Sequence, residues 1–306
     1  MSDIPLTQIG IKRDQHLDQA VETRGLRPLT PGVGTEVTGI NLESLSDEDA
    51  GFILEAIHTH STLLFRDQKL SNEGLVSFSR HFGAVVEAPD IQRKKTVPGL
   101  PQIYIVSNIK GDDGKPIGSF GSGEAIWHAD NSNRAIPPFA TLLYAVEVPP
   151  TGGDTWVASM IAALEDMPDD LREQIEGRFI KHDGTYNAGG FIREGVEASD
   201  DPRTCAGRLH PAICAHHASG KPVLYLGRRR NAYVDGLSLE ESETLLDALW
   251  AHATKSAYSY AHHWRKGDLL MWDNRSTLHR RDEIDPAHRR LMLRTLIKGK
   301  EAPRSF

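Results

Sequence analysis

Three residues have the types and the spacing that could hold a metal ion. His128 and Asp130 are separated by one residue, and His279 lies far downstream. In an extended segment, side chains two residues apart point to the same face, so His128 and Asp130 can both reach one ion. Two imidazoles and one carboxylate on one face of an octahedral ion leave three positions open, as non-haem Fe(II) requires to bind a co-substrate and O₂ together.

The His-x-Asp pattern alone is a weak signal, because a chain with 14 histidines produces it often by chance. A surface histidine or a hydrogen-bonded one is the simpler interpretation unless another part of the chain supports the metal site. Two arginines after His279 provide that support, since Arg290 and Arg294 alternate with apolar residues and share one face of a predicted strand. A buried arginine is costly unless it meets an anion, and a carboxylate is its natural bidentate partner. An edge strand with solvated arginines is the alternative.

The elements that position these residues are visible in the hydrophobic pattern. In the first third, a helix is predicted to begin after Ser46, with acidic residues in its first turn, and to end near His60. A compact apolar strand follows at 62–65. A second helix is predicted to start at Ser71 and to stop at Gly83.

The rest of the chain is richer in strands than in helices. Buried strands are predicted at 102–107, 141–148, 268–272 and 291–297, and a helix begins at the capping box that opens with Ser238. Because few strict βαβ units occur, the fold class is expected to be mainly β with peripheral helices (α+β). A jelly roll would close such a sheet and place a pocket at its mouth.

Composition excludes several classes of function. A net charge of −7 argues against a broad nucleic-acid surface. Cys205 and Cys214 are the only cysteines, too few for a disulfide scaffold or a thiolate zinc site. The N-terminus lacks a signal-peptide pattern, and no apolar run reaches the roughly 18 residues of a membrane span. A cytoplasmic protein without membrane contact is therefore expected.

Three segments together resemble one family, the taurine dioxygenase and chlorophenoxyacetate dioxygenase (TauD/TfdA) family. They are Trp127-His128-Ala129-Asp130, then Gly152-Gly153-Asp154-Thr155, then Trp272-Asp273-Asn274-Arg275 with His279. The resemblance runs from about Leu26 to Lys298. It implies a double-stranded β-helix (a cupin-like jelly roll) as a single domain at 26–306, after a polar N-terminal tail at 1–25. It also implies an oxygenase that uses Fe(II), 2-oxoglutarate and O₂ and releases succinate and CO₂.

The resemblance assigns roles residue by residue. His128, Asp130 and His279 match the iron ligands of the family. Thr155 and Arg290 match the residues that bind the carboxylates of 2-oxoglutarate. The carboxylate of Asp130 argues against halogenation, since halogenating relatives carry a small residue at that position. Desaturation, epimerisation and ring chemistry stay open as alternatives to hydroxylation.

The substrate is expected to be a small anionic organic molecule. Arg294 matches an arginine that often contacts an anionic substrate, and Asn108 ends a buried strand beside a long loop, where a pocket residue is expected. Glu124 could hold an amine. The segments 84–87 and 121–124 differ from the taurine branch of the family, so taurine is not the expected substrate.

Two loop regions and one basic cluster complete the expectations. The segments 88–99 and 182–208 are the candidate lids, because the reactive site must be shielded from water. Arg228-Arg229-Arg230 is expected to be a solvated turn, with an anion-binding role as the alternative. Relatives often form dimers or tetramers, so a homo-oligomer is expected.

Two other classes of function compete with the oxygenase. A zinc or manganese hydrolase can use the same three ligands to activate water. A non-catalytic β-sandwich could keep the arginine pocket for an anion without redox chemistry. Thr155 and Arg290 argue against the hydrolase, which has no need of a dicarboxylate, and the three metal ligands argue against the binding module.

Overall fold

A computed structural model describes residues 24–30, 32–123, 125–199 and 201–306. Except for its last two residues, the predicted N-terminal tail at 1–25 lies outside the described residues, and so does Glu124. Among the described residues, no helix is both long enough and apolar enough to cross a bilayer.

The described residues form eighteen strands and five α-helices. The strands are β1 (Gly25–Thr30), β2 (Val33–Thr38), β3 (Thr62–Phe65), β4 (Thr96–Val97), β5 (Leu100–Ser107), β6 (Ser119–Phe120), β7 (Ala125–His128), β8 (Ala140–Glu147), β9 (Thr155–Ser159), β10 (Phe179–Asp183), β11 (Gly207–Pro211), β12 (Ile213–Ala215), β13 (Pro222–Leu224), β14 (Tyr233–Val234), β15 (Ser259–His262), β16 (Leu269–Asp273), β17 (Thr277–Arg281) and β18 (Leu291–Ile297). The helices are α1 (Asp47–His60), α2 (Asn72–Arg80), α3 (Met160–Glu165), α4 (Asp169–Glu173) and α5 (Leu239–Ala253).

Two sheets form the body of the fold. The major sheet has nine strands in the order β1-β2-β3-β16-β8-β18-β5-β4, with β6 paired to β5. The minor sheet has four strands in the order β15-β9-β17-β7. An apolar cluster joins them, since Val157 of β9 packs with Leu270 of β16 and Met292 of β18. This architecture confirms the predicted double-stranded β-helix.

The helices α1 and α2 cover the outer face of the major sheet. Strand β3 is apolar along its whole length because both of its faces are buried. Leu63 and Phe65 pack against these helices, while Leu64 faces the minor sheet. Ile53 of α1 and Phe78 of α2 belong to the same outer cluster and are 0% and 1% exposed. The predicted peripheral helices are thereby confirmed.

Helix boundaries follow the capping residues. The Ser46 hydroxyl accepts from the Asp49 N–H, and Ser238 with Glu241 forms a reciprocal capping box. Helix α2 begins after the predicted Ser71 but ends at Arg80, earlier than predicted. Two turn residues separate Arg80 from Gly83, whose φ of 144° does end the segment.

Candidate metal centre and adjoining pocket

The three predicted metal ligands lie together at the open end of the minor sheet. Strands β7 and β17 are antiparallel, and His128 is the direct cross-strand partner of His279. Asp130 follows β7 by two residues. One side-chain ligand atom from each of the three lies within 4.8 Å of the others, and all three residues are buried. The donor set and spacing fit a divalent ion with three open positions.

The hydrogen bonds of the two imidazoles orient their free nitrogens. His128 Nδ1 lies 2.7 Å from the Ile126 carbonyl oxygen, so this nitrogen carries the proton and donates it. The Nε2 atom of His128 is then a lone-pair donor, 3.6 Å from Asp130 Oδ1. His279 Nε2 lies 3.9 Å from Asp130 Oδ2. Both Nε2 atoms therefore face the carboxylate, as metal ligation requires.

The protonation states of the triad also suit a metal. Burial lowers the pKa of His279 well below its usual range, so this imidazole is neutral at neutral pH. Burial alone would raise the pKa of Asp130, but the Arg294 guanidinium and the two histidines outweigh it and hold that pKa well below the usual range. A neutral imidazole and an ionised carboxylate bind a cation without first releasing protons.

A chain of hydrogen bonds holds the Asp130 carboxylate in place. Asn274 Nδ2 donates to Thr141 Oγ1 at 2.8 Å, and Thr141 Oγ1 in turn donates to Asp130 Oδ2 at 2.8 Å. The Trp272 indole N–H donates to Asn274 Oδ1 at 3.2 Å. Because an amide NH₂ can only donate, the Thr141 hydroxyl has to donate toward the carboxylate. Asn274 belongs to one of the segments that resemble the family, whereas Thr141 was not identified from the sequence.

Asp273 fixes the turn that leads into β17. Its carboxylate is fully buried and accepts from the backbone N–H and guanidinium of Arg275, while His216 Nε2 lies 3.1 Å from Oδ2. Burial raises the pKa of Asp273, but Arg275 and His216 outweigh that effect and hold the pKa well below the usual range. His216 thus has a structural role in holding Asp273.

A cavity that is open to solvent adjoins the triad. Its walls combine apolar side chains of the major sheet with His128, His279, Thr155, Arg280, Arg281, Arg290 and Arg294. The predicted co-substrate and substrate residues Thr155, Arg290 and Arg294 thus border the same space as the two histidines.

Arg290 is a buried cation without a partner. It is 1% exposed, and its Nε, Nη1 and Nη2 atoms have no hydrogen-bond partner among the described residues. Burial, helped by the charge of Arg281, lowers the pKa of Arg290 to about 9, so the guanidinium is charged at neutral pH. Gly153 makes room for it, since a Cβ there would lie 3.3 Å from Arg290 Cδ. A buried, unpaired guanidinium requires an anion, and the pocket supplies the space for one.

Thr155 is prepared to donate a hydrogen bond. Trp264 Nε1 donates to Thr155 Oγ1 at 3.0 Å. Since an indole N–H can only donate, the Thr155 hydroxyl proton is left for an acceptor in the cavity. The Trp264 ring centroid is also 6.0 Å from the Arg290 guanidinium carbon, so this one side chain contacts both residues.

Arg294 lies on the metal side of the same cavity. Its Nη1 is 3.5 Å from Asp130 Oδ1, and its guanidinium carbon is 5.4 Å from the centre of the Tyr104 ring. As predicted, it shares the inner face of β18 with Met292, which belongs to the apolar cluster between the sheets. Arg294 thus places a positive charge beside the triad.

Comparison with known proteins agrees with this geometry. A family model described as "Taurine catabolism dioxygenase TauD, TfdA family" matches residues 25–296. The chain belongs to the TauD/TfdA family.

Curated relatives in this family act with α-ketoglutarate, which is 2-oxoglutarate. The chain is 31% identical over 277 residues to the α-ketoglutarate-dependent 2,4-dichlorophenoxyacetate dioxygenase of Cupriavidus pinatubonensis, covering 87% of this chain and 95% of that protein. It is 26% identical over 283 residues to the α-ketoglutarate-dependent sulfate ester dioxygenase of Pseudomonas putida, covering 90% and 89%.

A solved structure supports the same grouping. The crystal structure of AAD-2 in complex with Mn(II) and N-oxalylglycine superposes with a TM-score of 0.74 at 29% identity, covering 92% of this chain and 99% of that one. The chain is therefore an Fe(II)- and 2-oxoglutarate-dependent dioxygenase of the TauD/TfdA family. This confirms the predicted enzyme class and co-substrates and decides against the hydrolase and the binding module.

Asn108 was expected to line the substrate pocket of this TauD/TfdA chain, but in the structure its side chain contacts the backbone beside Arg290. Its Oδ1 accepts from the Arg290 N–H at 2.9 Å, and its Nδ2 donates to the His288 carbonyl at 2.8 Å. Its side chain is not among the cavity-lining residues of the described part of the chain. The structure connects Asn108 to the position of Arg290 and not to the cavity.

The cluster Arg228-Arg229-Arg230 is only partly the solvated turn that was predicted. Arg229 forms ion pairs with Glu243 and Asp247 at the surface, and Arg230 is exposed. Arg228 is 5% exposed, so the prediction of a solvated residue is wrong there. The backbone of Arg228 bridges to His128, which draws its side chain inward.

Two further residues of the site were not identified from the sequence. Trp264, which contacts Thr155 and Arg290, comes two residues after β15, a strand that was not predicted. Arg281, two residues after His279, is 6% exposed, and burial lowers its pKa to about 10. Arg281 is two residues from His279, just as Asp130 is two residues from His128. In an extended strand this spacing places both side chains on the same face, and it could have identified Arg281 as a residue of the site.

Proposed function

We propose that this oxygenase hydroxylates a small anionic organic substrate at an iron held by His128, Asp130 and His279. The observation that carries the proposal is the position of the buried, unpaired Arg290 in the cavity that adjoins the three ligands. A metal triad alone would serve hydrolysis equally well. A cation in need of an anion beside such a triad supports dicarboxylate-dependent oxidation.

His128, Asp130 and His279 would hold Fe(II). With 2-oxoglutarate and O₂, the ion would supply the oxidising power to insert one oxygen atom into a substrate C–H bond, the other oxygen atom going to succinate with loss of CO₂. Thr141 and Asn274 keep the Asp130 carboxylate oriented, so that the ligand geometry is preorganised.

The co-substrate is held by Arg290 and Thr155 in this proposal. The distal carboxylate of 2-oxoglutarate pairs with the Arg290 guanidinium, which can donate two parallel hydrogen bonds. The Thr155 hydroxyl, whose acceptor side is taken by Trp264, donates to the same carboxylate. Asn108 acts through Arg290 by fixing its backbone.

Arg294 is proposed to bind the anionic group of the substrate. Its location beside Asp130 puts that group close to the metal, so that a neighbouring carbon is presented for oxidation. Relatives are named for dichlorophenoxyacetate, phenoxypropionate and sulfate esters, which all carry one anionic group next to an ether or ester oxygen. Hydroxylation of the carbon that bears such an oxygen gives an unstable product that splits.

The remaining expectations are proposed as follows. Residues 26–306 form one oxygenase domain, which the family match over 25–296 supports. The protein is cytoplasmic and homo-oligomeric, and it contacts neither nucleic acid nor membrane. The segments 88–99 and 182–208 flank the site as lids. In the second of these, Ala188 borders the cavity.

The test begins with metal-free protein under anaerobic conditions. Fe(II) and 2-oxoglutarate are added, and the visible charge-transfer band of the iron–co-substrate chelate is followed. We expect the band in the natural protein and its loss in His279→Ala. Succinate release is then measured with phenoxyacetates, alkyl sulfates and sulfonates. A bound metal without the band would contradict the proposed roles of Arg290 and the triad.

A further inference from the structure

Two arginines outside the proposed machinery converge on one backbone oxygen near the metal site. Arg228 Nη1 donates to the Tyr186 carbonyl at 2.7 Å, and Arg193 Nε donates to the same oxygen at 3.1 Å. A carbonyl is a neutral acceptor, so it brings two like charges together without neutralising either. Such an arrangement is unfavourable unless an anion joins it.

Both arginines lie on segments that are attached to β7, the strand that carries His128. The backbone of Arg228 forms a β-bridge with His128 itself. The loop that contains Arg193 is tied to β7 by the hydrogen bond from the Ile126 N–H to the Ala188 carbonyl at 3.3 Å. Ala188 of that loop borders the cavity. The charge of Arg193 interacts with those of Asp130 and Arg294, and the charge of Arg228 interacts with those of Asp130 and Arg193, so both guanidinium groups lie near the metal triad.

The side chain of Arg228 is not satisfied by the protein. It is 5% exposed, and its Nε has no hydrogen-bond partner among the described residues. Within the same described ranges, neither Arg193 nor Arg228 has a carboxylate at ion-pair distance. Burial lowers the pKa of Arg228 to about 10, which leaves it charged at neutral pH.

The neighbouring carboxylates are already engaged. Asp130 attracts both arginines, but it also contacts Arg294 and is a proposed metal ligand. Asp183 attracts both as well, yet its two oxygens accept from the backbone N–H groups of Thr185 and Tyr186. Three guanidinium groups, those of Arg193, Arg228 and Arg294, thus face two carboxylates, those of Asp130 and Asp183, one of which is a proposed metal ligand.

We propose that Arg193 and Arg228 form a second anion-binding position beside Arg294, and that the substrate of this enzyme carries two negative charges. This inference rests on the proposed function, in which Arg294 receives the first charge. The two charges reside either on one group, as in a phosphonate, or on two carboxylates. One charge then contacts Arg294, and the other contacts Arg193 and Arg228, which both donate to the Tyr186 carbonyl.

Matched anions test the proposal directly. Phenylphosphonate and benzenesulfonate have the same shape, but at mildly alkaline pH the first carries two charges and the second carries one. Binding of each to the anaerobic Fe(II)–2-oxoglutarate protein is measured by titration calorimetry. We expect the phosphonate to bind at least about tenfold tighter, the ratio that roughly one charged hydrogen bond provides. Phenoxysuccinate and phenoxyacetate, compared in the same way, show whether two separate carboxylates are preferred to one.

Three variants assign the preference to residues. Arg228→Gln and Arg193→Gln are each expected to reduce the phosphonate-to-sulfonate affinity ratio by about tenfold, and Arg228→Lys, which keeps the charge, to retain part of it. Arg230→Gln is the matched control. Arg230 stacks on the Tyr186 ring at 3.5 Å and is exposed, so its removal should leave the ratio unchanged.

The outcomes are distinguishable from those of the proposed function. Equal binding within both pairs, phenylphosphonate with benzenesulfonate and phenoxysuccinate with phenoxyacetate, overturns the second position, and so does binding of none of them. The same holds if the ratio survives both Arg193→Gln and Arg228→Gln. Failure of the proposed function appears elsewhere, as an Fe(II)–2-oxoglutarate band that never forms or an Arg290→Gln variant with unchanged affinity for 2-oxoglutarate.

Discussion

His128 and His279 lie directly opposite each other in the antiparallel strands β7 and β17, with ring centroids 4.1 Å apart. Two residues that are distant in the chain thus become neighbours through backbone hydrogen bonds rather than through flexible loops. Because rigid strands carry both imidazoles, their positions are set before any ion arrives.

Replacing His279 by alanine should abolish metal binding. The loss of a direct ligand is expected to exceed the roughly 10–100-fold weakening that accompanies the loss of an outer hydrogen-bond partner. Anaerobic Fe(II) titration measures the effect. His263→Ala is the control, since the His263 side chain is 82% exposed. Retained Fe(II) affinity in His279→Ala would rule out the proposed triad.

Arg290→Gln should raise the apparent KM for 2-oxoglutarate steeply. A buried charge-assisted pair that loses one partner costs roughly 2–5 kcal/mol, which corresponds to at least about 30-fold in KM. The adjacent Arg289 is exposed and pairs with Glu147 at the surface, so Arg289→Gln should behave like the natural protein. If Arg290→Gln left KM unchanged, the carboxylate role would pass to Arg281.

Trp264→Phe should weaken 2-oxoglutarate binding by roughly 2- to 12-fold, because one neutral hydrogen bond is worth roughly 0.5–1.5 kcal/mol. The phenyl ring keeps most of the packing but frees the Thr155 hydroxyl to rotate. Steady-state kinetics with varied 2-oxoglutarate would show the change in KM. Trp156→Phe is the comparison, since the Trp156 indole donates to Asp282 instead. Equal effects of the two variants would speak against a special link between Trp264 and Thr155.

Thr141→Val should reduce Fe(II) affinity by roughly 10–100-fold. Valine has nearly the shape of threonine but cannot relay the hydrogen bond from Asn274 to Asp130. Thr295→Val removes another fully buried hydroxyl, one that contacts Ser79, and it should leave the affinity unchanged. Anaerobic Fe(II) titration distinguishes the two, and similar affinities would remove Thr141 from the support of the metal site.

Asp273→Asn should destabilise the protein in a pH-dependent way. The folded-state pKa of Asp273 is depressed, so its stabilising contribution is present above the ordinary carboxyl pKa of about 4 and is lost as the pH falls toward the folded-state value. Breaking a buried ion pair costs roughly 3–5 kcal/mol at pH 7.

Denaturant unfolding of Asp273→Asn and of the natural protein at several pH values measures this difference. We expect the two free energies of unfolding to approach each other below about pH 4. Asp247→Asn removes a carboxylate that is 74% exposed, and it should show a small and nearly constant difference. A difference for Asp273→Asn that did not shrink at low pH would contradict the assignment of the depressed pKa.

The major sheet was largely predictable and the minor sheet was not. Strands such as β3 and β18 are apolar or alternate regularly, because their side chains face apolar clusters on one or both sides. Strand β17, Thr277–Arg281, reads as a polar loop, since its inward positions are occupied by His279 and Arg281. His279 and Arg281 give this strand its function, and because they are polar they interrupt the apolar alternation by which a strand is recognised.

The same distinction holds within the candidate site. Local spacing predicted the pairing of His128 with Asp130, and alternation predicted the shared face of Arg290 and Arg294. The contact between Asn274 and Thr141 and the contact between Trp264 and Thr155 each join residues more than a hundred positions apart, so no local pattern could reveal them. Asn108 was predicted near the site, but the direction of its side chain depends on the backbone of Arg290.

The pairing of β7 with β17 also has a kinetic consequence. Its two strands, Ala125–His128 and Thr277–Arg281, are far apart in the chain, so the entropy of closing a long loop must be overcome before they meet. We expect formation of this pair to be a late and slow event, and a bound ion to protect the β7 and β17 amides from hydrogen exchange more than those of the major sheet. The metal would thus stabilise the pairing of β7 with β17, the part of the fold that forms last.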